Sequence, residues 1–351
     1  MNLEALRQNA AMVLAAQPPG TRLISVVKAG GYGHGATEAA RALLDAGSEM
    51  LAVASLAEAE SLLEHIPSRR ILVLGGLIPQ HATAAARLGC ALTCSGDEVA
   101  RALSAAAAGG APVPVHLKVD TGMGRYGCPA AEAADLARLI DRLPGLRLAG
   151  TYTHFASSES DAVRTAAQFA LFESALAGFR VDPGLRHACN SGGALRHPEM
   201  ALDAVRCGIA LYGCEWPGAR PVLSLRALVT HVKTVPRGAA VGYGSTWVAT
   251  APTRVATIAI GYADGVHRAR SGRGAVLVAG RPAPLIGRVS MDSITVDVSL
   301  TPDVAVGDVA TLIGRDGEEE ITAEEVAGWS GTISYEVLCA IGPRVERRHS
   351  E

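Results

Sequence analysis

The stretch "LISVVKAGGYGHGATEAARALLDAG", residues 23–47, decides how the chain is to be read. A branched apolar run fits a strand buried on both faces, and "ATEAARALLDAG" fits an amphipathic helix. Between them stands Lys28, followed by Gly30, Gly31, Gly33 and Gly35 around Tyr32 and His34. Glycines so crowded permit backbone conformations and close approaches that other residues resist. The segment "GYGHGA" matches the loose dinucleotide pattern G-x-G-x-x-A. That reading requires an acidic residue at the end of the next strand, and "MLAVAS" has none. It also leaves Lys28 without a purpose.

The same β-then-α unit repeats outward to about residue 215. Branched runs recur at "MLAVAS", "RILVLGG", "CALTCS", "VPVHLKVD", "LRLAGTYTHF", "LRHACNSG" and "AVRCGIALYG", most of them separated by Ala- and Leu-rich helical stretches. With the first, that makes eight strands, the number that closes a (β/α)8 TIM-type barrel of the α/β class; an open doubly wound sheet is the alternative. Beyond residue 220 the pattern changes to short strands between turns, with "TAEEVAGWSG" as the one helical stretch. The expected domains are a barrel over residues 8–220 and a mostly β domain over 221–351. The few residues ahead of the barrel are free to pack with the second domain.

The chain has 351 residues, is 49% hydrophobic and carries a formal charge of −2. That balance suits a large buried core and argues against nucleic acid as partner. The terminal "PRVERRHS" is locally basic and reads as a solvated tail. Seven cysteines, at 90, 94, 128, 189, 207, 214 and 339, form no C-x-x-C pair. They point to reduced thiols in a cytoplasm and to no metal site. No apolar run reaches the ~20 residues of a membrane helix.

In a barrel, chemistry gathers where strands end. Lys28 ends the first strand, Lys118 and Asp120 the fifth, with Arg125 in the following "TGMGRYG". His154 ends the sixth, Asn190 and Ser191 the seventh, and Arg206 lies in the eighth. A lysine among apolar neighbours has its pKa lowered, and the neutral amine can condense with an aldehyde to a Schiff base. The glycine loops at "NSGG" and "RCGIALYG" would let backbone N–H groups approach an anion. Aldehyde and phosphate together describe pyridoxal phosphate.

Nine motifs then resemble one family in order and spacing: "VVKAGGYGHGA", "LKVDTGMGRYG", "YTHFASS", "CNSGG", "VRCGIALYG", "VGYGSTW", "IGYADG", "GRVSMDSITVDV" and "TISYEVLCAIGPRV". The chain resembles the alanine racemases over residues 23–345. The resemblance implies a pyridoxal-phosphate enzyme that interconverts L- and D-alanine with two bases, supplies D-alanine for peptidoglycan, and works as a cytoplasmic homodimer with shared sites. By position, Lys28 corresponds to the cofactor lysine and D-face base, and Tyr243 to the L-face base supplied by the partner subunit. His154 and Arg206 correspond to a chain leading to the cofactor ring. An arginine at the ring nitrogen is a donor only, so it leaves that nitrogen neutral where a carboxylate would keep it protonated.

The resemblance further assigns Arg125 to the cofactor's phenolic oxygen and the substrate. Lys118 becomes a lysine open to carbamylation. Tyr32, Ser191, Gly208, Ile209 and Tyr335 form the phosphate-binding set, with Asn190 in the same "CNSGG" motif. Met291 meets the substrate carboxylate through its N–H, and Tyr262, Arg268 and Arg288 line the substrate passage. Gly30 and Gly31 stand where the family has Asn-Ala, which adds backbone freedom to be frozen on folding. The alternatives are a serine or other small-amino-acid racemase, a decarboxylase, a non-catalytic cofactor carrier and an impaired paralogue. Arg206 with Tyr243 speaks against the decarboxylase, and the second domain against the carrier.

Overall fold

The computed structural model describes residues 1–107 and 109–351. They fall into two compact units, residues 4–31 with 35–219, and residues 1–3 with 32–34 and 220–351.

The first unit holds β1 (Arg22–Val26), β2 (Met50–Val53), β3 (Ile71–Val73), β4 (Ala91–Cys94), β5 (Val113–Asp120), β6 (Leu146–Tyr152), β7 (Leu185–His187) and β8 (Ala204–Cys207). All pair in parallel, in the order β4-β3-β2-β1-β8-β7-β6-β5. Pairing of β4 with β5, Leu92 opposite Val115, closes the ring and rules out the open sheet. The main helices are α1 (Leu3–Ala15), α2 (Ala36–Asp45), α3 (Leu56–Leu63), α4 (Ala82–Arg87), α5 (Asp97–Ala106), α6 (Ala133–Arg142), α7 (Ala162–Ala177) and α8 (Ser191–Arg196). Every residue of β3, β4 and β8 is buried. With core on both faces, these strands have no reason to alternate apolar with polar residues.

The second unit contains β9 (Leu225–Val235), β10 (Thr253–Ile258), β11 (Ala275–Val278), β12 (Arg281–Ile286), β13 (Ile294–Asp297), β14 (Val309–Asp316) and β15 (Glu319–Ile321). They pair antiparallel in the order β9-β10-β13-β12-β11-β14-β15. The long β9 serves two partners, with Leu225–Leu228 on β14 and Val229–Val235 on β10; its register shifts between Val229 and His231. A ribbon of Ala240–Val241 with Trp247–Val248 projects the turn that carries Tyr243. Its base rests on a cluster of Val235, Val241, Ala249, Val255 and Ile286.

Two expectations for this unit need correction. Besides α9 (Ala323–Ser330), which starts on a Thr322–Glu325 capping box, there is a second helix, α10 (Ser334–Cys339). At six residues it is too short to show a helical period. The tail is also anchored to the fold, although Arg344, Glu346 and Arg348 stay exposed to solvent. Arg344 pairs with Asp264 at 2.9 Å and Asp292 at 2.7 Å, Arg347 is half-buried on backbone carbonyls, and Ser350 forms a parallel bridge with Asn2. No described helix is long and apolar enough to cross a membrane, and no cluster of metal-ligating side chains occurs among the described residues.

Candidate active site

Lys28 lies two residues past β1, half-buried, where the chain leaves the barrel. The next five residues all adopt positive φ: Ala29 54°, Gly30 64°, Gly31 65°, Tyr32 51° and Gly33 80°. An L side chain in this region costs roughly 1–2 kcal/mol, so the glycines remove strain from three of the five positions. Gly30 and Gly31 are therefore what this conformation calls for, and the freedom they add is spent here. The turn is tied down by Gly31 N–H to the Val27 carbonyl (2.9 Å) and Gly35 N–H to the Gly30 carbonyl (2.8 Å). Glu58, in the first turn of α3, accepts from the Ala29 N–H with one oxygen and from the Ala54 N–H with the other, each at 2.7 Å. One carboxylate thus joins the ends of β1 and β2.

Inside the barrel, strand register sets Lys118 on β5 beside Tyr152 on β6, and Tyr152 beside His187 on β7. The Tyr152 ring stacks on His187 at 4.8 Å and 7°, with the Arg206 guanidinium 5.1 Å and the Lys118 Nζ 5.4 Å from its centre. Arg206 is 3% exposed. It donates to His187 Nδ1 (2.8 Å), His154 Nδ1 (3.2 Å) and the carbonyls of Thr153 (2.7 Å) and Ala188 (2.9 Å). A guanidinium has no acceptor, so His187 Nδ1 must accept and its Nε2 must carry the proton. That N–H then donates to His116 Nδ1 at 2.9 Å, which fixes the second tautomer as well. Burial, then Arg147 and Arg206, lower the His116 pKa to about 3. His187 is held well below the ordinary range by burial, Arg206 and His116. Two neutral histidines and one arginine form a directed chain of donors.

His154 is also neutral, because burial and four cations, Arg206, Lys118, Arg125 and Lys28, disfavour its protonated form. Of the four, Arg206 is in hydrogen-bond contact with the imidazole. Lys118 is 3% exposed, and its Nζ has no hydrogen-bond partner. Burial and Arg206 bring its pKa down to about 8, against the opposing pull of Asp120. Asp120 in turn accepts from the N–H groups of Gly122, Met123 and Gly124 at 2.9–3.1 Å, which shapes the loop that carries Arg125. Burial alone would raise the Asp120 pKa, but these N–H groups and Lys118 hold it below the usual carboxylate value.

Asn190 caps α8, its Oδ1 accepting from the Gly193 N–H (2.9 Å) and the Ser158 hydroxyl (2.7 Å). Ser191 Oγ accepts the Gly208 N–H at 3.0 Å. The Gly208 donor is therefore engaged within the protein, unlike the free role the resemblance implies. Ile209 follows at the first position of a 3-10 turn, where no intrahelical partner exists for an N–H.

The remaining expected residues lie in the second unit. Tyr32 is buried, with its ring centre 6.1 Å from that of Tyr335. Tyr243 is 71% exposed between two glycines of positive φ, and Arg288 lies against its turn at Gly244. Met291 and Tyr262 are exposed on adjoining loops pinned by Ala263 N–H to the Met291 carbonyl and Tyr262 N–H to the Ser290 carbonyl, both 3.0 Å. Arg268 is exposed at the start of another turn.

Sequence reading did not single out Glu58, Tyr152, His116 or His187. For His116 a signal existed: "VHLKVD" sets a second polar residue two positions before Lys118, hence on the same strand face. Glu58 offered none beyond an acidic residue at a helix start.

Fold and site define a β/α-barrel enzyme with a cationic mouth and a β-rich second unit. The N-terminal domain model of alanine racemase matches residues 1–215, and the C-terminal domain model matches residues 222–349. The chain is 42% identical to an alanine racemase of Chlorobaculum tepidum, over 99% of this chain and 94% of the relative. It is also 42% identical to one of Desulfovibrio desulfuricans, over 100% and 97%. The crystal structure of a Bacillus anthracis alanine racemase with bound L-Ala-P superposes with a TM-score of 0.93 at 36% identity, covering 100% of this chain and 94% of that one. The chain belongs to the alanine racemase family, a family of amino-acid isomerases.

Proposed function

We propose that the protein interconverts L- and D-alanine with pyridoxal phosphate and two bases, Lys28 and Tyr243. The observation that carries this reading is the buried Arg206, which donates to His154 and His187 and has no carboxylate partner among the described residues. Such a site suits an anionic cofactor and a carboxylate substrate. The residues fit the cofactor: an amine at the barrel exit, turns at Ser191 and Ile209 in the first unit, a buried Tyr32–Tyr335 pair in the second, and an arginine that only donates.

Bound pyridoxal phosphate supplies an electron-withdrawing ring that stabilises negative charge at the substrate Cα. Lys28 holds the cofactor and moves the proton on one face of Cα. Tyr243 moves it on the other. Arg206, a donor only, would offer the ring nitrogen no proton acceptor, and His154, held neutral, adds no charge. Tyr32, Tyr335, Ser191 and Ile209 hold the phosphate, with Asn190 shaping the α8 end. Arg125 and the Met291 N–H hold the substrate carboxylate, and Tyr262, Arg268 and Arg288 border its passage. The partnerless Lys118 amine reacts with carbon dioxide, forming an N–C bond and releasing a proton, and the resulting carbamate orients Arg125.

The exposure of Tyr243 supports its service to a partner subunit in a homodimer. Six cysteines are buried free thiols, in keeping with a cytoplasmic enzyme that supplies D-alanine for peptidoglycan.

The test is α-proton exchange in deuterium oxide with L-alanine, D-alanine and L-serine. Alanine should exchange fastest and interconvert. Tyr243→Phe should lose exchange from L-alanine by about 10²–10⁴-fold while retaining exchange from D-alanine, and Lys28→Ala should lose covalently held cofactor. Exchange from L-alanine that survives in Tyr243→Phe would overturn the two-base assignment.

A further inference from the structure

Three successive carbonyls close the left-handed turn, those of Tyr32, Gly33 and His34, and each meets a different donor. The Tyr32 carbonyl accepts the Nδ1–H of His34 at 2.8 Å. The Gly33 carbonyl accepts from Arg347 Nε at 3.1 Å, and the His34 carbonyl from His349 Nε2 at 2.8 Å. Arg347 uses the rest of its fork on the carbonyls of Ile341, Gly342 and Val345. It is half-buried and bound to four backbone oxygens, an arrangement a lysine's three donors on one nitrogen cannot reproduce.

The fit is also steric. A Cβ on Gly33 would lie 2.3 Å from the Leu338 carbonyl oxygen, so the loop is pressed onto α10, the helix that carries Tyr335. The tail therefore holds the backbone of the Tyr32 segment at the place where the Tyr32 and Tyr335 rings meet. Positive φ at Tyr32 is a strained choice for an aromatic residue and needs surroundings that enforce it.

We infer that Arg347 and His349 are positioning residues that act through Tyr32 to set the enzyme's grip on the cofactor's phosphate. This rests on the assignment of Tyr32 to the phosphate made under Proposed function. Neither tail residue needs to touch the phosphate. Each fixes a carbonyl one or two residues beyond Tyr32, and so the direction of its ring.

The experiment compares binding of pyridoxal phosphate with binding of pyridoxal, which has the same ring and aldehyde but no phosphate. Dissociation constants are measured by absorbance on the full-length protein and on Arg347→Leu, Arg347→Lys, His349→Ala and Tyr32→Phe. Arg347→Leu should cut the preference for the phosphorylated form about tenfold, and His349→Ala about threefold, in line with the loss of several hydrogen bonds and of one. Arg347→Lys should fall between wild type and Arg347→Leu. Pyridoxal itself should bind all of them alike.

Equal weakening of both ligands, or an unchanged preference in the tail variants while Tyr32→Phe loses it, overturns the inference and leaves the Tyr32 assignment standing. An unchanged preference in Tyr32→Phe overturns the assignment, and the inference with it. Should Arg347→Leu fail to fold, His349→Ala, which removes one donor, decides the question alone.

Discussion

Arg206 and Tyr243 stand at opposite extremes of how a polar side chain is held. Arg206 is 3% exposed and donates to two histidines and two carbonyls. Tyr243 is 71% exposed on a two-stranded ribbon, between glycines. The barrel group is fully preorganised inside its own unit. The ribbon group is displayed. Substitutions should therefore cost much stability at the first position and little at the second.

Arg206→Ala is the strongest way to break that contrast. It leaves two buried carbonyls and the His187 Nδ1 without a donor, at about 1–3 kcal/mol each. Urea unfolding should register a loss of several kcal/mol, on the order of 3–5. Tyr243→Phe should shift the same curve by less than about 0.5 kcal/mol, as expected of an exposed position. Similar losses in both variants would erase the distinction.

Acid should find the barrel before the ribbon. An unfolded histidine binds a proton near 6.5, whereas folded His116 does so only at about 3 and His154 and His187 are likewise held low. Between those values the unfolded chain holds more protons, so stability is full above pH 6.5 and declines as the pH falls. The slope is about 1.4 kcal/mol per pH unit for each histidine kept neutral. Urea midpoints at pH 7.5, 6.0 and 5.0 measure it, and a flat profile would mean the three imidazoles are solvated.

Lys118 sharpens the comparison from inside the barrel, as a buried amine with no partner beside a fully partnered arginine. With its pKa lowered to about 8, its cost is greatest below that value and is relieved as the pH rises toward 10.5. At pH 8, added bicarbonate should therefore raise the thermal midpoint of the wild type by a few degrees, about 2–4 °C per kcal/mol, and leave Lys118→Gln unmoved. Labelled bicarbonate should give a carbamate carbon signal that this variant lacks. The smallest effect belongs to Gly30→Ala. No atom lies within 4 Å of the new Cβ, so only the positive φ opposes it, at about 1 kcal/mol.

Much of this was legible before any coordinates. Alternation of branched runs with Ala-rich helices is a local signal, and it gave all eight barrel strands in order. Lys28 and the glycines after it announced an unusual backbone because no ordinary strand or helix uses four glycines in six residues. Other parts were not legible for physical reasons. Glu58 joins N–H groups from two distant loops, and no window of sequence contains both. The His116–His187–Arg206 chain depends on the register of three strands. Arg347 and His349 looked like members of an ordinary charge run, since what distinguishes them is a set of backbone oxygens elsewhere.

The link between Arg347 and Gly33 spans 314 positions. During synthesis, α1 through α8 can form while the ribosome is still reading the second unit, since the barrel's pairings join strands near one another in sequence or close its ring. The Tyr32 loop cannot be finished on that schedule. Its carbonyls wait for residues 347 and 349, so this loop stays unfinished after the eighth barrel strand has been made. Chains cut short before Arg347 would be left in that state.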